Sequence, residues 1–235
     1  MRILCHHQTC VQVLTIVIFL ANDFLAHMSA ISWLPESLFT EDYNLPLPDR
    51  HFNVTIGNSS GHTQILVYAF NLTNGTLHTG ATRDNNKNGR SCTAKPHGID
   101  VTCRVDMTGW CASYDGKIYN GTHPDGDEAE AFKVNVTIQK YTSPRNPADI
   151  TVNLRTGNPP TGLTVSTTWM TEFIIVVTEK PPFANLSIFH GNTTLAKMVK
   201  DGFEDKLWDT TKPDIKEVLK KKYPNSVKGK INIQH

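Results

Sequence analysis

The stretch AFKVNVTIQ, residues 131–139, alternates apolar and polar side chains without a break. Phe132, Val134, Val136 and Ile138 fall on one side of an extended chain, and Lys133, Asn135 and Thr137 on the other. Successive side chains of a β-strand point to opposite faces. The pattern therefore predicts a strand with one face in a core and the other in water. Asn135 also opens the triplet Asn-Val-Thr, an acceptor for N-linked sugar. A glycan has to project into solvent, and the triplet lies on the polar side. Two independent signals thus agree on the register of one strand.

The same alternation recurs in both directions along the chain. In HFNVTI, residues 51–56, Phe52, Val54 and Ile56 share a face opposite Asn53 and Thr55. In DITVNLR, residues 149–155, Ile150, Val152 and Leu154 alternate with Thr151, Asn153 and Arg155. Further strands are predicted over 64–72, 99–105, 162–168 and 171–179, with a shorter one over 186–190. The run 173–177 is continuously apolar, as a central strand buried on both faces would be. Turn-forming stretches separate these segments, among them 57–61, Asn74-Gly75, 84–89, Asp125-Gly126 and 157–160. The pattern predicts a mainly β fold, an antiparallel sandwich or barrel-like domain, because a parallel sheet would need helices between its strands. Helical spacing first appears in 194–200, where Leu195, Met198 and Val199 share a face that Phe203 and Leu207 continue. A second helix is predicted over 213–223, capped by Thr211 and Asp214, opened by Pro213 and ended by Pro224. The organisation expected is a signal peptide over 1–30, a β-domain with a proline-rich leading segment over 31–192, and a short helical, basic C-terminal extension over 193–235. In the leading segment, Trp33, Leu34, Leu38 and Phe39 are expected to pack along the domain edge.

Eight sequons occur, at Asn53, Asn58, Asn71, Asn74, Asn120, Asn135, Asn185 and Asn192. The residue composition would give about three by chance. Residues 11–21, VQVLTIVIFLA, have the length of a signal-peptide core and are too short to span a bilayer. A secreted, extracellular glycoprotein with no membrane span is expected. The formal charge of +1 gives no general field for nucleic acid. Of the five cysteines, Cys5 and Cys10 leave with the signal, so Cys92, Cys103 and Cys111 remain. An odd number implies one local bridge plus a thiol that is free or links a dimer. Cys92–Cys103 would close a hairpin; Cys103–Cys111 would tie a strand to the turn at Trp110.

No motif for nucleophilic, zinc-dependent, phosphate-binding or dinucleotide chemistry is present, so neither an enzyme nor a cofactor is expected. His97, His123 and His190 lack a partner at metal-ligand spacing and read as solvated. Asp125, Asp127, Glu128 and Glu130 read as a solvated acidic loop without calcium-loop spacing. Trp110, Trp169 and Trp208 read as core or edge residues. Lys216, Lys220, Lys221 and Lys222 form the solvated face of a helix end, which could also meet an anionic surface such as a sulfated glycosaminoglycan.

The signal peptide, the glycan-rich β-type body and the few cysteines, Cys92, Cys103 and Cys111, together with WMTEFIIVVTEKPP from Trp169 and KMVKDGFEDKLW from Lys197, resemble the salivary immunosuppressant glycoproteins of ticks. That resemblance implies binding to a host immune protein or cell-surface receptor, without catalysis. It carries no functional residue over to this chain. The competing expectation is a lipocalin-like carrier of a small ligand. Against it, Trp33 lacks the glycine two positions before it that opens such barrels.

Overall fold

The computed structural model describes residues 42–57, 65–80, 90–94, 100–121, 129–141, 148–156 and 163–233. Among the described residues ten strands occur in chain order: β1 (Asn44–Pro46), β2 (Arg50–Gly57), β3 (Ile65–His78), β4 (Arg90–Ala94), β5 (Asp100–Asp106), β6 (Cys111–Asn120), β7 (Glu130–Gln139), β8 (Asp149–Thr156), β9 (Leu163–Met170) and β10 (Ile174–Glu179). Two helices follow, α1 (Thr193–Lys221) and α2 (Tyr223–Ile233). The larger sheet runs β1-β3-β6-β7-β10, with β2 beside β1 on the same edge of the long strand β3. The smaller runs β4-β5-β8-β9. All the pairings between strands are antiparallel. The mainly β, antiparallel architecture read from the alternation is the one observed, arranged as two sheets.

The inner face of the larger sheet carries Phe52, Val54, Phe70, Leu72, Val134, Val136 and Ile138, and α1 closes over it. Phe203 of α1 is fully buried, with its ring 4.8 Å from that of Phe70, 5.8 Å from Phe52 and 5.9 Å from Phe132. Gly202, beside it, lets the helix approach β2: a Cβ there would stand 2.6 Å from Val54. Glycine costs a helix about 1 kcal/mol relative to alanine, and the close contact is what that cost secures. Further along, Tyr223 packs on Trp110 and Tyr43 at 5.4 and 5.7 Å. The inner side of the smaller sheet, Val101, Cys103, Val105, Ile150, Val152 and Leu154, joins the same core.

Several local expectations are corrected. Residues 173–177 do not form a central strand: β10 is the edge of the larger sheet, with Ile175 buried and Val176 exposed. Residues 186–190 are not a strand: they hold the 3-10 turn Ser187–Phe189, which follows another at Phe183–Asn185 and is held by Glu130, whose carboxylate accepts from the Ile188 N–H at 2.8 Å. Asn74-Gly75 is not a turn. β3 passes through it with an irregularity between Thr73 and Thr76, and Asn74 takes the left-handed conformation with φ 55°. Pro213 does not open a helix and lies inside α1. Phe203, Leu207, Thr211, Ile215, Val218 and Leu219 form one buried stripe across it, so a break there would take half of the stripe out of the core. Met198 points outward. The helix bends at Lys222, one residue before α2, and Pro224 sits in the first turn of α2, where no helical N–H bond is lost. The bridge is Cys92–Cys103, across directly opposed residues of β4 and β5, and Cys111 is free. The signal segment, Trp33, Leu34, Leu38, Phe39, Asn58, His97, His123 and Asp125, Asp127 and Glu128 lie outside the described residues.

Candidate binding surfaces

Between β1 and β2 the chain runs Leu47, Pro48, Asp49, and this short link faces the second half of α1. An open groove of about 280 Å³ lies between them, lined by Leu47, Pro48 and Arg50 on one side and Asp214, Glu217, Val218, Lys221 and Lys222 on the other. Its floor is an ion pair. Arg50 donates from Nε to Asp214 Oδ2 at 2.6 Å and from Nη2 to Oδ1. The Asp214 side chain is 5% exposed and that of Arg50 37%, so the carboxylate is the desolvated partner. A planar guanidinium matches a carboxylate with two parallel bonds, which fixes the first residue of β2 against the helix. The remaining charges are also satisfied locally. Lys221 reaches Glu217 at 2.8 Å, and Lys222 donates to the Pro46 carbonyl at 2.6 Å.

Behind the pair lie two hydroxyls, Tyr114 of β6 and Thr211 of α1. Both oxygens are buried without a hydrogen-bond partner. Burial pushes the Tyr114 phenol far above its ordinary value, and the nearby Asp214 carboxylate adds to the shift. The Thr211 hydroxyl is close enough to draw the phenol back somewhat, but is not placed for a hydrogen bond.

The four lysines read as one patch are divided. Lys221 and Lys222 line the groove, whereas Lys216 leaves it for Glu172, at 2.6 Å. Lys220 is exposed, and its carbonyl accepts from Thr167 of β9 at 3.3 Å. Lys212, which the sequence reading passed over, also reaches Glu172, at 3.2 Å. The signal was available, since Lys212, Lys216 and Lys220 are spaced by four.

Seven of the eight sequon asparagines are among the described residues, and none is buried. Asn53, Asn71 and Asn135 sit on the outer side of β2, β3 and β7, and Asn74 at the irregularity of β3. The outer face of the larger sheet therefore carries four sequons. Asn120 ends β6, Asn185 ends the first 3-10 turn, and Asn192 caps α1 by accepting from the Leu195 N–H at 3.0 Å. The strands of the smaller sheet hold no sequon. Their outer side presents Thr102, Arg104, Asn153 and Arg155, with Trp169, 65% exposed, on β9.

Cys111 is half-buried on the sequon-bearing face, opposite His78 and Thr137. Burial pushes its thiol up, so little reactive thiolate forms. A bond to a second copy would press two sequon-bearing faces together. His190 is exposed in a left-handed turn, and Trp110 is core. Among the described residues no group of three His, Cys, Asp or Glu side chains is placed to hold a metal ion, and no helix is long and apolar enough to cross a membrane. The inner face of the larger sheet is occupied by α1 and its aromatic cluster, where a carrier barrel would hold its ligand.

No family model and no curated protein matches the sequence. Among solved structures the chain is similar to the crystal structure of lipopolysaccharide binding protein, with a TM-score of 0.32 and 11% identity, over 87% of this chain and 39% of that one.

Proposed function

We propose that the protein is a secreted, N-glycosylated binding protein that acts without catalysis. It suppresses host immune responses by engaging an immune protein or cell-surface receptor. One observation carries the reading: the sequons gather on the outer face of the larger sheet and at the start of α1, while the smaller sheet and the second half of α1 hold none. Sugar on the first set would shield one side of the molecule and leave the other for a partner. The bare side carries the exposed Trp169 opposite Thr151, whose other neighbour is Arg104, with Asn153 and Arg155 further along the same face. Tryptophan and arginine are the side chains that most often dominate binding energy at interfaces. The resemblance to tick salivary immunosuppressants supplies the immune direction, and the disulfide fits an oxidising compartment.

The test is to express the full chain in secretory cells and use it, sugars intact, to capture proteins from host plasma and leukocyte membranes, alongside a mitogen-stimulated lymphocyte proliferation assay. Capture of a defined immune partner and reduced proliferation are expected. A tightly held small molecule in native mass spectrometry, with no protein partner, would instead favour a carrier.

A further inference from the structure

Trp208, Lys212, Lys216 and Lys220 lie four residues apart on α1. At a rise of about 1.5 Å per residue, successive members stand about 6 Å apart along a single ridge. The ridge is ordered. Lys212 is only 15% exposed, with its ammonium 4.6 Å from the Trp208 ring centre and 5.7 Å from that of Phe173. Lys216 stands 5.9 Å from the same Phe173 ring. Both ammonium groups converge on Glu172, in the link between β9 and β10. Their hydrogen bonds hold its carboxyl below the usual range, so it is an anion at neutral pH.

Glu172 is 68% exposed. Ion pairs this open contribute about 0–1 kcal/mol, so a denser anion can displace it. Lys220, next on the ridge, has no ion-pair partner among the described residues. Asp205 and Asp209 flank the Trp208 end, which places the positive field at Lys212 to Lys220. Trp208 is 40% exposed and offers an apolar ring at the end of the lysine row. The nearest preceding sequon, Asn192, is sixteen residues before Trp208, about 24 Å along the helix. Sugar there would leave the ridge open.

We propose that this ridge binds a sulfated polysaccharide, with sulfate groups taking the place of Glu172 between Lys212 and Lys216 and a sugar ring stacking on Trp208. The linear row of cations suits a linear polyanion. A membrane surface would call for exposed apolar side chains around the lysines, and Trp208 is the only large one along the ridge. The site is separate from the immune partner proposed above, so either can fail while the other stands.

The test uses the full secreted chain on immobilised heparin, with affinity measured at physiological ionic strength. Lys212→Gln with Lys216→Gln is expected to weaken binding roughly tenfold, since each cation adds to attraction by a polyanion. Glu172→Gln is expected to tighten it about threefold by removing the internal competitor. Lys221→Gln with Lys222→Gln, in the groove, is expected to change it less than about twofold. Should the double ridge variant not be secreted, Glu172→Gln and Lys220→Gln carry the test, with Lys220→Gln weaker. The proposal is overturned by no retention of the wild type, by a Glu172→Gln variant no tighter than wild type, by equal losses in the groove and ridge variants, or by capture on phosphatidylserine vesicles without capture on heparin.

Discussion

Asn192 does two things at the start of α1. Its Oδ1 caps the helix through the Leu195 N–H, and its Nδ2 is the atom a glycosyltransferase would modify. The two roles separate by mutation. Asn192→Ala removes both and is expected to cost about 1 kcal/mol, whereas Thr194→Ala removes the sequon and keeps the cap. Chemical denaturation of both, after enzymatic removal of sugar, checks the difference. Tyr114 gives a sharper case. Its hydroxyl is buried without a partner, and such a group carries a desolvation penalty of about 1–3 kcal/mol. Tyr114→Phe is therefore expected to be neutral or stabilising, where a hydrogen-bonded tyrosine would lose stability. The pH dependence has a definite sign. Burial raises the folded-state phenol pKa above the unfolded value of 10.0, so the folded chain keeps a proton that the unfolded chain releases. That contribution is complete below about pH 10 and declines as pH rises above it toward the folded value. Tyr114→Phe should flatten the alkaline decline, measured by melts at about pH 9 and pH 11. In contrast, Arg50→Gln leaves the buried Asp214 carboxylate without its cation and is expected to cost about 3 kcal/mol.

At the scale of elements, α1 is the organiser. Phe203 touches rings from β2, β3 and β7 and from the first 3-10 turn. Phe203→Ala is expected to cost about 3–5 kcal/mol, enough to lower secreted yield as well as the melting temperature. The Cys92–Cys103 bridge closes a short loop, and Cys92→Ser with Cys103→Ser should cost about 2–3 kcal/mol, detectable by denaturation with Cys111 unchanged. How legible each element was follows from its side chains. β2, β7 and β8 were readable because Val, Ile, Leu and Phe fill their inner positions. β6, at the centre of the larger sheet, was not: its inner row is Ala112, Tyr114, Gly116 and Ile118. Gly116 is needed because a Cβ there would run into the Phe132 ring, and that small residue erases the apolar alternation. β10 was misplaced because edge and central strands can both be apolar when a helix covers the edge, as α1 does here. Pro213 misled for a related reason, since propensity is local and the buried stripe that runs on through it is tertiary.

At the scale of the whole molecule, the two sheets differ in what they offer to solvent. One is lined with sequons and the other with Arg, Asn, Thr and an exposed Trp. The sequons themselves were readable, as was the register they imply. Their collection onto one sheet was not, because it depends on β2, β3 and β7 meeting in space through β6. The Arg50–Asp214 groove was likewise hidden, since its partners are separated by 164 positions. Partner binding is proposed for the sequon-free side. Arg155→Thr tests it directly by making Asn153 a sequon on the outer face of the smaller sheet. Arg155→Ala serves as the control for loss of the ion pair with Asp100. With glycan at Asn153 verified by mass spectrometry, suppression of lymphocyte proliferation should be lost while Arg155→Ala and a variant lacking the Asn53, Asn71 and Asn135 sequons keep it. Undiminished suppression with sugar at Asn153, or suppression lost only when the larger sheet is stripped of its sequons, would rule out binding through the smaller sheet.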